Sequence, residues 1–91
     1  MPKLMSKVLI IDDSPVDTLD LAGILGRNGY TVISADDAEL GLQVARDQQP
    51  DIVLMDIVMP GLNGFQATRL LTQGASTRHI PVVMVSNKDQ Q

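Results

Sequence analysis

Val53-Leu54-Met55-Asp56-Ile57-Val58-Met59-Pro60-Gly61-Leu62-Asn63-Gly64 is an apolar run that ends on a carboxylate and then breaks into a loop of Pro, Gly and Asn. The same arrangement occurs near the N-terminus, where Val8-Leu9-Ile10-Ile11 runs straight into Asp12-Asp13. Short apolar runs without polar alternation fit strands buried on both faces, as in a parallel sheet. Parallel strands end on a common edge, so Asp12, Asp13 and Asp56 are expected to converge in one small crevice. Carboxylates held that close repel one another. A divalent cation relieves the repulsion, and an all-oxygen donor set suits Mg²⁺.

On either side of these runs, short apolar segments alternate with helix-length amphipathic ones, the pattern of βα units around a parallel sheet. Lys7 to Ile11 reads as the first strand. Ser14 caps the helix that follows, with Pro15 at its first position, Asp17 in its first turn, and Leu21, Ile24 and Leu25 on its apolar face. Asn28-Gly29 supplies the stop. Tyr30 to Ala35 forms a second strand. Asp36-Asp37 caps a helix carrying Leu40, Val44 and Ala45, which ends before Pro50. Asp51 to Met55 forms the third strand. Phe65 to Thr72 forms a third helix, stopped at Gly74. Ile80 to Val85 forms the fourth strand, where Pro81 is tolerated because it falls at the start. Ser86 then joins Asp12, Asp13 and Asp56 at the carboxyl edge of the sheet.

The 91 residues suffice for one small domain, and 44% hydrophobic against 20% charged residues marks it as globular. Tyr30 and Phe65 are the only aromatics, so Val, Ile, Leu, Met and Ala must build the core. A net charge of −4 and the absence of a basic run argue against nucleic acid or an anionic membrane as partner. With no cysteine there is no disulfide and no thiolate chemistry. No apolar run is long enough for membrane insertion and no signal peptide is evident, so a cytoplasmic location is expected.

Asp12-Asp13, Asp56, Met59-Pro60 with Gly64, and Ser86 together resemble the receiver domain of bacterial two-component response regulators. Single-domain chemotaxis regulators are the simplest members of that family. The likeness runs in order through nearly the whole chain, and the block from Leu54 to Arg69 is similar to regulators of type IV pilus twitching motility. It implies a flavodoxin-like, doubly wound parallel sheet with strand order 2-1-3-4, and a function in phosphoryl transfer. Asp56 would accept the phosphoryl group from a histidine kinase or phosphotransfer domain. Asp13, Asp12, Asp56 and the backbone carbonyl of Val58 would hold Mg²⁺, and the Ser86 hydroxyl would donate to a phosphoryl oxygen. A downstream motility or signalling protein would read the result, and the domain would be a phosphoacceptor rather than an enzyme in the ordinary sense.

The resemblance also implies residues that do not match. The family's phosphate-pairing Lys follows a fifth strand, whereas Lys88 follows the fourth. His79, the only histidine, precedes the fourth strand on the opposite edge and reads as a surface turn residue. Measured against the family pattern, residues 1–91 form a receiver domain incomplete at its C-terminus, lacking the fifth strand and the fourth and fifth helices. Strands one and three are then expected to be partly bare on the face of the first helix. Uncovering roughly four to six apolar side chains there forfeits on the order of 10 kcal/mol. Strand four becomes an open edge. Self-association follows as an expectation, by homodimerisation or domain swapping, and a structural module that no longer signals is the alternative function. Two other readings are weaker. A haloacid-dehalogenase-like phosphohydrolase needs an Asp two residues after its nucleophile, where this chain has Val58. A nucleotide-binding fold needs a Gly-rich phosphate loop, which is absent.

Overall fold

Lys7–Ile11 forms β1 at the middle of a parallel sheet, its last four residues all buried. The computed structural model describes residues 6–56 and 63–85. Helix α1 (Pro15–Arg27) leads to β2 (Thr31–Ala35), α2 (Ala38–Gln48) to β3 (Ile52–Asp56), and α3 (Gly64–Gln73) to β4 (Val82–Val85). The strands lie in the order β2-β1-β3-β4. Ile11 pairs with Ala35 on one side and Met55 on the other, and Asp56 pairs with Val85.

Right-handed crossovers dictate the layers. The chain steps from β1 to β2 in one direction, then from β2 to β3 and from β3 to β4 in the other. Helix α1 is therefore on one face, and α2 and α3 are on the opposite one. The core records this: Leu9, Ile11, Val53 and Met55 from the sheet pack with Leu42 and Ala45 of α2 and Ala67 and Leu71 of α3.

Each helix begins with a side-chain cap that satisfies a free backbone N–H. The Ser14 hydroxyl accepts from the Asp17 N–H at 3.3 Å, and the Asp37 carboxylate accepts from the Leu40 N–H at 2.8 Å. Asn63 and Gln66 form a reciprocal capping box, each side chain accepting from the other's backbone N–H, at 2.9 and 3.1 Å. The Asn-x-x-Gln spacing that makes this box was readable in the sequence and moves the start of α3 back to Gly64.

Four expectations need correction. Ile24 was placed on the buried face of α1, but it is half exposed, and α1 buries no residue fully. Of the apolar residues expected on α2, Ala45 is buried but Leu40 is exposed, and the buried stripe is Ala38, Gly41, Leu42 and Ala45. That stripe keeps helical spacing, and three of its four residues, Ala38, Gly41 and Ala45, are small, which brings α2 close to the sheet. β4 begins at Val82 rather than Ile80, because the Ile80 N–H is bonded to the Thr77 carbonyl in a turn. Finally, β1 is not bare: Val8 and Ile10, which point away from the main core, are 2% and 1% exposed. The exposed apolar surface lies instead toward β4, where Val83 is 44% exposed and Leu54 and Val85 are half-buried.

Thr77 anchors the turn before β4. Its buried hydroxyl donates to the Leu71 carbonyl at 2.6 Å, and Leu71 also accepts a longer bond from the Gly74 N–H at 3.3 Å. In a Thr77→Val chain that carbonyl keeps its second partner, so the expected loss is about 0.5–1.5 kcal/mol, the net value of one hydrogen bond. Urea denaturation with an unchanged m-value checks it.

Candidate functional site

Asp12 follows β1 and Asp56 closes β3, and the Ile11–Met55 register sets them side by side at the carboxyl edge. The Asp12 N–H donates to the Ala35 carbonyl at 3.1 Å, extending the ladder one residue past the strand. Its carboxylate accepts from the Ser14 N–H at 2.9 Å. Asp12 is thereby held by both β2 and the start of α1. Asp12 and Asp56 are buried, at 5% and 3% exposure, while Asp13 is exposed.

One carboxylate oxygen from each of Asp12, Asp13 and Asp56 lies within 4.8 Å of the other two. Mg²⁺ binds oxygen at about 2.0–2.1 Å, so opposite ligands of an octahedron stand about 4.2 Å apart. The three groups are near that span and of the right chemistry, and small rotamer adjustments would bring them to it. The donor set fits Mg²⁺. Burial strengthens the repulsion among the carboxylates, which makes a cation the natural complement of this edge.

The expected convergence of Asp12, Asp13 and Asp56 is what the structure shows. Val58 and Ser86 lie outside the described residues, as do Met59, Pro60, Gly61 and Lys88. Val85 is in register with Asp56, so the described end of β4 reaches the same edge. His79 is exposed in the turn that precedes β4, on the opposite edge. Sequence reasoning missed a cavity of about 340 Å³ beside the acidic group, bounded by α1 and the end of β2, with Asp12 and Asp36 in its wall. No motif marks it, because its walls come from two separate segments.

A doubly wound parallel sheet with carboxylates converging beyond β1 and β3 defines a flavodoxin-like module of the kind found in chemotaxis regulators. The chain belongs to the response regulator receiver domain family, whose family model matches residues 8–91. It is 52% identical over 87 residues to Protein PilH of Pseudomonas aeruginosa, covering 96% of this chain and 72% of PilH. The N-terminal domain of a response regulator receiver protein from Methanoculleus marisnigri superposes with a TM-score of 0.88 at 32% identity, covering 94% of this chain and 70% of that one. The chemotaxis protein CheY4 of Vibrio cholerae superposes with a TM-score of 0.86 at 27% identity, covering 94% and 72%. Receiver domains are signalling phosphoacceptors rather than conventional enzymes.

Proposed function

We propose that this chain is the phosphoacceptor module of a two-component pathway, with Asp56 as the residue that takes the phosphoryl group. The observation that carries the reading is the convergence of Asp12, Asp13 and Asp56 at the carboxyl edge. An Asp56 carboxylate oxygen forms the new bond to phosphorus. The donor's bond to phosphorus breaks in line with it, and the electron pair leaves with the donor. If the donor is a phosphohistidine, the departing imidazole nitrogen then takes a proton from solvent. Asp12 and Asp13 would hold Mg²⁺ together with Asp56, and the Val58 carbonyl would complete the protein ligands. When bound, the ion would offset the negative charge on the transferred group and on the cluster. Ser86 would donate its hydroxyl to a phosphoryl oxygen.

The donor in this reading is a histidine kinase or phosphotransfer domain, the setting is the cytoplasm, and the output is a motility or signalling protein. Among the described residues no helix is long and apolar enough to cross a membrane. The 52% identity to PilH supports a type IV pilus motility pathway over chemotaxis in general.

The test is native mass spectrometry after incubation with Mg²⁺ and acetyl phosphate. A phosphoryl adduct is expected, and it should vanish when EDTA replaces Mg²⁺. An adduct of equal yield in EDTA would remove the metal from the reading. No adduct under any condition would favour the second reading, a structural module that self-associates. Among the described residues β4 is the last strand of the sheet, and this edge position and exposed Val83 support that alternative; the same spectrum would then show a dimer.

A further inference from the structure

We propose that two copies of this chain pair through β4 into a two-fold, antiparallel dimer, with Val83 facing Val83 of the partner subunit. This gives self-association a definite register and does not depend on the reading of Asp56 as acceptor. Backbone polarity carries it. Val53 is in register with Val82, and the Val53 N–H donates to the Pro81 carbonyl at 3.0 Å. Pro81 therefore turns its carbonyl toward β3. Successive residues of a strand turn their backbone groups to opposite edges, so Val83 and Val85 also serve β3. The N–H and C=O groups of Val82 and Met84 face the other way, and among the described residues no strand lies there.

A second β4 fits this edge. A two-fold axis at Val83 sets Val82 opposite the partner's Met84, and Met84 opposite the partner's Val82. Both are hydrogen-bonded antiparallel pairs, so four bonds form and each of these outward groups is used. An axis at Val82 would instead set Met84 against the partner's Ile80, whose N–H is already held by Thr77. Side chains agree with the first register. Val83 is 44% exposed and meets its own copy in a non-hydrogen-bonded pair, where side chains come closest. Val82 to Val85 carry no charge that would keep a second strand away. On the other face Thr68 donates to the Met84 sulfur at 3.2 Å, which sets that side of α3 over β4. Phe65 stands one turn earlier on that side, 62% exposed, where the partner's third helix would approach. Charge fixes the direction. Antiparallel pairing carries the turn before β4, with exposed Arg78 and His79, toward the partner's acidic edge, since Asp56 is in register with Val85. Parallel pairing would bring two acidic edges together.

Sedimentation equilibrium of the 91-residue chain over a concentration series should show association that stops at two, as a closed two-fold interface requires. Val83→Lys sets two cations face to face and should weaken the dimer at least about tenfold. Leu40→Lys, at an exposed position of α2, should leave it unchanged. The chain has no cysteine, so single cysteines report the register even where Val83→Lys fails to fold. Val83→Cys should cross-link into a covalent dimer under oxidised glutathione, because the two Cα atoms stand about 4.5 Å apart, within the span a disulfide bridges. Val85→Cys lies about 14 Å from its own copy in this register and should not cross-link. A chain that stays a monomer overturns the proposal, as does open-ended growth into larger species. Cross-linking of Val85→Cys as readily as Val83→Cys overturns it too. None of these results bears on Asp56, which acetyl phosphate labelling reports by itself.

Discussion

Asparagine at position 56 is expected to abolish phosphoryl incorporation from any donor while leaving the fold intact. The substitution keeps the side chain's shape and removes the anionic oxygen that would attack phosphorus. The amide that replaces it is neutral, with its lone pairs drawn into conjugation, and is a far weaker nucleophile. Asp56 is 3% exposed and sits at the end of β3, in register with Val85 on one side and beside Asp12 on the other. Removing one of three mutually repelling carboxylates should leave stability unchanged or slightly raised. Two readouts therefore move differently: the mass adduct disappears, and the urea midpoint stays or rises. A labelled Asp56→Asn chain would point to another acceptor, with exposed Asp13 the nearest candidate. An unfolded variant would show instead that Asp56 serves the fold.

Gly41→Val is expected to be among the most destabilising single changes in the domain, at about 3 kcal/mol. A Cβ at position 41 would lie 2.4 Å from Ile11 Cδ1 and 2.7 Å from its Cγ1. Cδ1 is the free end of a side chain, but Ile11 is fully buried between the sheet and α2 and has little room to turn. Two effects compete in the milder Gly41→Ala. Replacing a mid-helix glycine by alanine gains about 1 kcal/mol of helix propensity. Overpacking costs about 1–3 kcal/mol. The clash should win, and the melting temperature should fall by about 4–8 °C for each net kcal/mol. Ile11→Val removes the offending Cδ1, so in the Gly41→Ala background it should cost at least about 0.5 kcal/mol less than in the wild type. Ile11 immediately precedes Asp12, so the displaced strand end should also weaken Mg²⁺ binding. Additive effects in that cycle would mean that α2 moves as a unit rather than that Ile11 is squeezed.

What could be read before folding was local. The run Val8 to Ile11 ending on Asp12-Asp13, and the run Ile52 to Met55 ending on Asp56, fixed two buried strands and the edge where their carboxylates meet. Unbroken apolar residues tolerate no solvent-facing side, and parallel neighbours must finish together. Ser14-Pro15 and Asp36-Asp37 likewise announced helix starts, because capping is a matter of spacing within a few residues; the Asn63/Gln66 box has the same local character but was not read, and the third helix was started one residue late. The inner face of α2 was not legible. Leu40, Val44 and Ala45 were the apolar residues the sequence offered, and of these only Ala45 belongs to the buried stripe; the rest of it, Ala38, Gly41 and Leu42, was recognisable only once Ile11 of another element was seen pressing on Gly41. The cover over Val8 and Ile10, the exposure of Ile24 and the cavity between α1 and β2 belong to the same class. The sequence by itself determined the strands, the caps and the acidic edge, since each depends on neighbours a few residues apart. Only the tertiary structure decided how closely the layers pack and which surfaces stay open, because those distances are set between segments that the chain order keeps far apart.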